Sequence, residues 1–225
     1  LTTERGGAEL PPGGIELGDP PWRPWSPQEA ARRLGSVRAP WYVAGGWALD
    51  LFLGRETPET ASRVHEDLEV AVPAAAWPEV AAALSGLTVY AAGSGRLWPL
   101  ADPGVDAAAA LAAVHQTWVF DPAGAAFVLD VFREPHTHDT RHRDQWICRR
   151  DPTLRVPYPD LIARTASGIP YLRPEWVLLF KAKSTRPKDE ADLEGVRTLL
   201  DDPARRRVYD LIARIHPGHP WLDRL

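Results

Sequence analysis

The chain has 225 residues, 44% of them hydrophobic, enough for one long domain or for a catalytic domain with a small helical companion. A formal net charge of -4, with a pI near 6.0, argues against broad non-specific binding to nucleic acid and suits a cationic partner. One cysteine, Cys148, excludes an internal disulfide framework and a cysteine-cluster metal site; an inert thiol is its ordinary reading.

In chain order, residues 1–25 are rich in Gly and Pro and read as an extended arm pinned by Trp22 and Trp25. Ser26, Pro27 and Glu29 then make a helix start in SPQEAARRLG, with Gly35 as its stop. WYVAGG is a short buried strand running into Gly45 and Gly46, and WALDLFLG has helical spacing up to Gly54. EDLEVAV alternates as a strand, with Leu68 and Val70 on one side and Asp67 and Glu69 on the other; Pro73 ends it. Helical AAWPEVAAALSG, the strand LTVYAAG and an alanine-rich helix in DPGVDAAAALAAVHQ follow. TWVFD and AAFVLDVF, separated by DPAG, predict a hairpin. Residues 134–146 read as a polar loop, and SGIP as a turn. PEWVLLFKAKS, KDEADLEGVRTLLDD and PARRRVYDLIARI read as helices, the last ended by HPGHP. The division expected is an arm (1–25), a catalytic domain (26–158) and a helical C-terminal region (159–225). No apolar run is long enough to cross a bilayer and no basic-then-apolar leader opens the chain, so cytoplasmic residence is the expectation.

The most informative unit is the pair Asp67 and Glu69. Residues two apart on a strand share a face, so both carboxylates can converge on a hard cation. An exposed edge strand with a solvated acidic face is the plain alternative. Asp130 interrupts the apolar run AAFVLDVF, where a charge is out of place unless it is paired or ligating; a salt bridge to Arg133 or Arg155 is its alternative. Three such carboxylates can hold two divalent ions, one at an acceptor oxygen and one at a triphosphate, with Asp130 in a position to take the acceptor's proton. Gly45 and Gly46, at a strand-to-helix junction, let phosphate approach the backbone, although tight turns use such pairs constantly.

Arg63 and His65 are candidate phosphate contacts, with a surface arginine and a strand-cap histidine as the alternatives. Lys181, Lys183 and Lys188 are further candidates, against ordinary helix-surface charge. His136, His138 and His142, with Asp139, have weak zinc spacing. Trp47 and Trp176 read as core, whereas Trp98, Trp118 and Trp146 are candidates to line an acceptor pocket. No P-loop, GxGxxG, HExxH or GxSxG pattern occurs.

GGWALDLFLGR followed by RVHEDLEV resembles the minimal nucleotidyltransferases that modify aminoglycosides and lincosamides. Their pattern is a GG or GS turn, a helix, two acids separated by one residue, and a third acid on a later strand. Gly45, Gly46, Asp67, Glu69 and Asp130 match it, with Glu69 replacing the more familiar second Asp. PYLRPEWVLLFKAKSTRPKDEADLE resembles the helical region whose lysines face nucleotide phosphates in such proteins, and ETPETAS is a longer insert than in close relatives.

The resemblance implies an α+β fold with a mixed β-sheet flanked by helices and a C-terminal helical region. It implies Mg2+, as two ions, with ATP or another nucleoside triphosphate as co-substrate. The activity implied is transfer of a nucleoside monophosphate to a hydroxyl of a small molecule, an aminoglycoside or lincosamide among them. A toxin-like transferase acting on RNA or protein is the second enzyme reading; a non-catalytic nucleotide-binding or interaction protein is the third.

Overall fold

The computed structural model describes residues 10–16, 18–137 and 144–225. In chain order its elements are β1 (Ile15–Glu16), α1 (Pro27–Arg33), β2 (Tyr42–Val43), α2 (Gly45–Phe52), β3 (Glu69–Pro73), α3 (Trp77–Ala83), β4 (Thr88–Gly93) and β5 (Arg96–Pro99). Then come α4 (Ala107–Ala113), β6 (Gln116–Asp121), β7 (Ala126–Glu134), β8 (His136–Thr137), β9 (Gln145–Ile147) and β10 (Arg155–Pro157). The chain closes with α5 (Tyr158–Leu161), β11 (Ile162–Arg164), β12 (Pro170–Leu172), α6 (Pro174–Lys181), α7 (Pro187–Arg197) and α8 (Asp202–Ile215). The fold is α+β, a mixed sheet with helices, as expected.

The division of the chain is not a single cut at residue 158. One unit takes residues 1–41 and 65–134, the other 42–64 and 135–225, because β2 and α2 pack with later elements.

In the first unit the strand order is β1-β5-β4-β6-β7-β3. β3 runs parallel to β7, and the remaining neighbours are antiparallel, including the predicted β6–β7 hairpin. β7 is buried along almost its whole length, which explains its unbroken apolar run, whereas β6 alternates. The helix start is as expected: Ser26 Oγ accepts from Glu29 N at 3.2 Å, and Pro27 opens α1. The arm is held as well. β1 pairs with β5, Trp22 bridges to Phe127, and the Trp22 ring meets the Trp118 edge at 5.1 Å. Trp98 is fully buried and donates Nε1 to Pro11 O. A Cβ on Gly14 would stand 2.7 Å from that indole, so only glycine lets the arm cross there.

The second unit contains the strands β2-β12-β11, with β12 parallel to β2, and a separate sheet β10-β9-β8. β8 and β9 revise the expectation of a polar loop over 134–146: Trp146 is buried against Trp176 and Phe180, which supports a strand there. α6 is buried through Leu179 and forms the unit's core helix. Its C-terminal carbonyls are capped by Arg150, which donates to Leu179 O and Phe180 O at 2.8 Å while lying over the Phe180 ring.

Arg150 Nη1 also lies 3.2 Å from His216 Nε2, which must therefore accept, leaving the proton on Nδ1. Burial, together with Arg150, holds the His216 pKa below the ordinary histidine value. The unfolded chain then binds the proton more readily than the folded one, so stability is full above about pH 6.5 and falls as the solution is acidified below it. Denaturation midpoints between pH 5 and 8 are expected to show this slope, and His216→Gln is expected to flatten it; an equal slope in the variant would assign it elsewhere.

Candidate active site

The acidic pair lies at the entry of β3. The ladder begins one residue earlier than the strand, since Asp130 N donates to Leu68 O at 2.9 Å. Leu68 and Val70 are fully buried, while Asp67 is exposed and Glu69 half-buried, the alternation the sequence predicts. Asp67 itself stands in the segment just ahead of β3. Glu69 and Asp130 are direct register partners in the parallel pair β3–β7, which places both side chains on one face.

Asp130 is 3% exposed. Its Oδ2 accepts from Gln116 Nε2 at 2.8 Å, but its Oδ1 has no hydrogen-bond partner among the described residues. Burial pushes the Asp130 carboxyl well above the usual range, and repulsion from Glu69 adds to this. The Gln116 bond opposes the rise, Asp67 adds a smaller push, and nearby Trp118 a smaller pull down. Trp118 is the cross-strand partner of Asp130 on β6, yet its Nε1 also lacks a hydrogen bond of normal geometry. Two carboxylates, Glu69 and Asp67, thus act electrostatically on one buried, half-satisfied acid.

Arg133, the ion-pair alternative for Asp130, is engaged with β6 and α4. Its guanidinium donates to Thr117 Oγ1 and to the carbonyls of Leu111 and Val114, tying β7 to the end of α4. Among the described residues no three His, Cys, Asp or Glu side chains stand close enough to grip an ion as placed. The donor set is nonetheless right for a hard cation: carboxylate oxygens, one of them buried and unbonded.

Gly45 and Gly46 are the first residues of α2. Gly45 has φ +59, a conformation that glycine tolerates best, and the helix start has no side-chain cap. Asp50, fully buried in α2, accepts from Ser62 N and Oγ at 3.0–3.1 Å and fixes the end of the ETPETAS insert. Arg63 Nη2 is 3.5 Å from Asp192 Oδ2. His65 is buried, so it does not share the exposure of Asp67.

Lys181 is enclosed between Asp189 at 2.9 Å and Asp192 at 2.7 Å. Lys183 is exposed beyond α6, and Lys188 lies half-buried in α7. Trp98 and Trp146 are core residues, leaving Trp118 as the half-buried member of the three. His138, Asp139 and His142 lie outside the described residues. Gln116 went unnoticed in sequence, although the alternation of QTWVFD already placed it beside Trp118.

Residues 28–96 match the family model of the aminoglycoside-2''-adenylyltransferases. Over that segment the chain is similar to the aminoglycoside nucleotidyltransferases. The matched segment includes Gly45, Gly46, Asp67 and Glu69 and stops before Asp130. The solution structure of the antibiotic-resistance factor ANT(2'')-Ia is similar in fold, with TM-score 0.52 and 16% identity, covering 88% of this chain and 92% of that one. A crystal structure of ANT(2'')-Ia in complex with adenylyl-2''-tobramycin matches with TM-score 0.45 and 14% identity, over 84% of this chain and 94% of that one. No curated protein matches the chain.

Proposed function

We propose that this chain transfers a nucleoside monophosphate from ATP or another nucleoside triphosphate to a hydroxyl of an aminoglycoside, with magnesium held by Asp67, Glu69 and Asp130. The observation that carries this reading is the register pair Glu69–Asp130, with Asp67 acting on the same buried carboxyl. An apolar strand gains no stability from an acid whose neighbours repel it and whose Oδ1 is unbonded, so a cation is the partner the arrangement lacks. The matched family supplies the acceptor class and favours an adenylyl group.

Bound there, magnesium would lower the pKa of the acceptor hydroxyl and balance charge on the triphosphate. Asp130 is oriented by Gln116 on Oδ2, which leaves Oδ1 for ligation or for the acceptor's proton. Asp67, exposed ahead of β3, is the carboxylate most open to an incoming ion. Gly45 and Gly46, with Arg63, His65, Lys183 and Lys188, are proposed phosphate contacts. Lys181 would have to leave Asp189 and Asp192 to join them, and its proposed role is to hold α6 to α7.

The test is magnesium-dependent pyrophosphate release from labelled nucleoside triphosphates, with an aminoglycoside, a lincosamide or RNA as acceptor. Release is expected with the aminoglycoside, and Asp67→Ala is expected to lower it by about 10³-fold with the fold retained. A folded parent chain that releases nothing with any acceptor would end the enzyme reading, and release with RNA alone would replace the acceptor.

A further inference from the structure

The second unit contains a cavity of about 410 Å³ that none of the residues discussed so far for nucleotidyl transfer lines. Its volume falls in the range of small-molecule sites. Glu175, near the start of α6, lines it and is only 6% exposed. Its carboxylate makes no hydrogen bond among the described residues; Arg207 Nη1 is at ion-pair distance, 3.9 Å, beyond hydrogen-bond reach. Glu175 thus presents to the cavity a carboxylate whose one recorded cation is distant, leaving room for closer donors.

The walls have two characters. Phe52 and Leu199 are apolar, and Leu199 is 60% exposed where a water-facing leucine gains nothing. Asp160 and Asp201 add carboxylates, against Arg173 and Arg207, so acids exceed bases among the lining residues by three to two. Asp201 is already occupied as the cap of α8, accepting from Ala204 N. Tyr171 stands beside Glu175 and Arg173; burial raises its phenol pKa, Arg173 opposing and Glu175 adding to the rise.

We propose that this cavity binds a small organic cation, its ammonium group seated against Glu175 and its apolar body against Phe52 and Leu199. An ammonium brings three donors and a positive charge, and a free ligand can approach the carboxylate more closely than Arg207 does at 3.9 Å. Arg207, half-exposed, is the competitor: it sits at ion-pair distance and must be displaced outward.

The probe is benzylammonium, which has no hydroxyl and therefore cannot be an acceptor in nucleotidyl transfer; its binding is read whether or not the chain is a transferase. Amide shifts in the full chain are expected at Tyr171, Leu199 and Leu200, with a Kd on the order of 1 mM for so small a ligand. Glu175→Gln, nearly isosteric, is expected to weaken binding at least tenfold. Arg207→Ala is expected to tighten it severalfold, and this opposite sign separates a removed competitor from general damage to the fold. Benzyl alcohol is expected to leave the same amides unmoved. Absence of shifts at these residues up to about 20 mM probe, twentyfold over the expected Kd, equal affinity in Glu175→Gln, or weaker binding in Arg207→Ala would each overturn the proposal.

Discussion

Asp130→Asn is expected to unfold at a higher denaturant concentration than the parent chain and to transfer no nucleotide. The parent's carboxyl is buried, opposed by Glu69 across the β3–β7 ladder and by Asp67, and only one of its oxygens is bonded. The amide keeps an acceptor for Gln116 Nε2 but carries no charge, so the burial penalty and both repulsions fall away. A gain on the order of 1–2 kcal/mol follows, which for a chain this long raises Tm by a few degrees. Transfer should drop by about 10³-fold or more, because an amide neither holds magnesium well nor takes the acceptor's proton. Opposite signs for stability and turnover mark a residue kept for chemistry against the interest of the fold. A variant less stable than the parent in metal-free buffer would mean that protein cations already satisfy the carboxylate, and the metal assignment would lose its footing.

Lys181→Met is expected to cost about 3–5 kcal/mol of stability, measured as a shift in the urea midpoint. The ammonium pairs with two buried acids at once, Asp189 at 2.9 Å and Asp192 at 2.7 Å. Burial alone would raise the Asp189 pKa. Hydrogen bonds from Arg186 and Lys181 prevail and hold it well below the usual carboxylate range. That contribution is complete above the unfolded carboxyl's ordinary value, near 3.8, and disappears as the pH falls below it. Without Lys181, Asp189 keeps Arg186, but Asp192 keeps only Arg63 at 3.5 Å. Adding Asp192→Asn to Lys181→Met should recover part of the loss, because the orphaned charge is removed. A phosphate-binding role would show differently, as a raised KM for the nucleotide with the urea midpoint unchanged.

These two residues show what sequence could reveal. The interrupted apolar run around Asp130 and the two-residue spacing of Asp67 and Glu69 are local patterns that translate directly into a face of a sheet. The parallel register of β3 and β7, which makes the acids neighbours, is a long-range pairing that alternation alone does not specify. Lys181 illustrates the same limit: a lysine on an apolar helix needs an anion, and its pairing with Asp189 and Asp192 on α7 is a contact that sequence spacing does not specify. Short pieces such as β5, β8 and β9 escaped because two to four residues carry no readable period, and β9 is supported by Trp146 packing onto α6. The capped helix α1 and the β6–β7 hairpin were legible because their signals are contained within their own residues.

The N-terminal arm has a consequence for how copies of this chain behave toward one another. β5 would be the outermost strand of its sheet but for β1, whose short ladder covers one margin of unsatisfied amides and carbonyls. A two-residue border strand preceded at once by Pro12, Gly13 and Gly14 is a poor template for further addition, so the sheet terminates there instead of recruiting a neighbouring molecule.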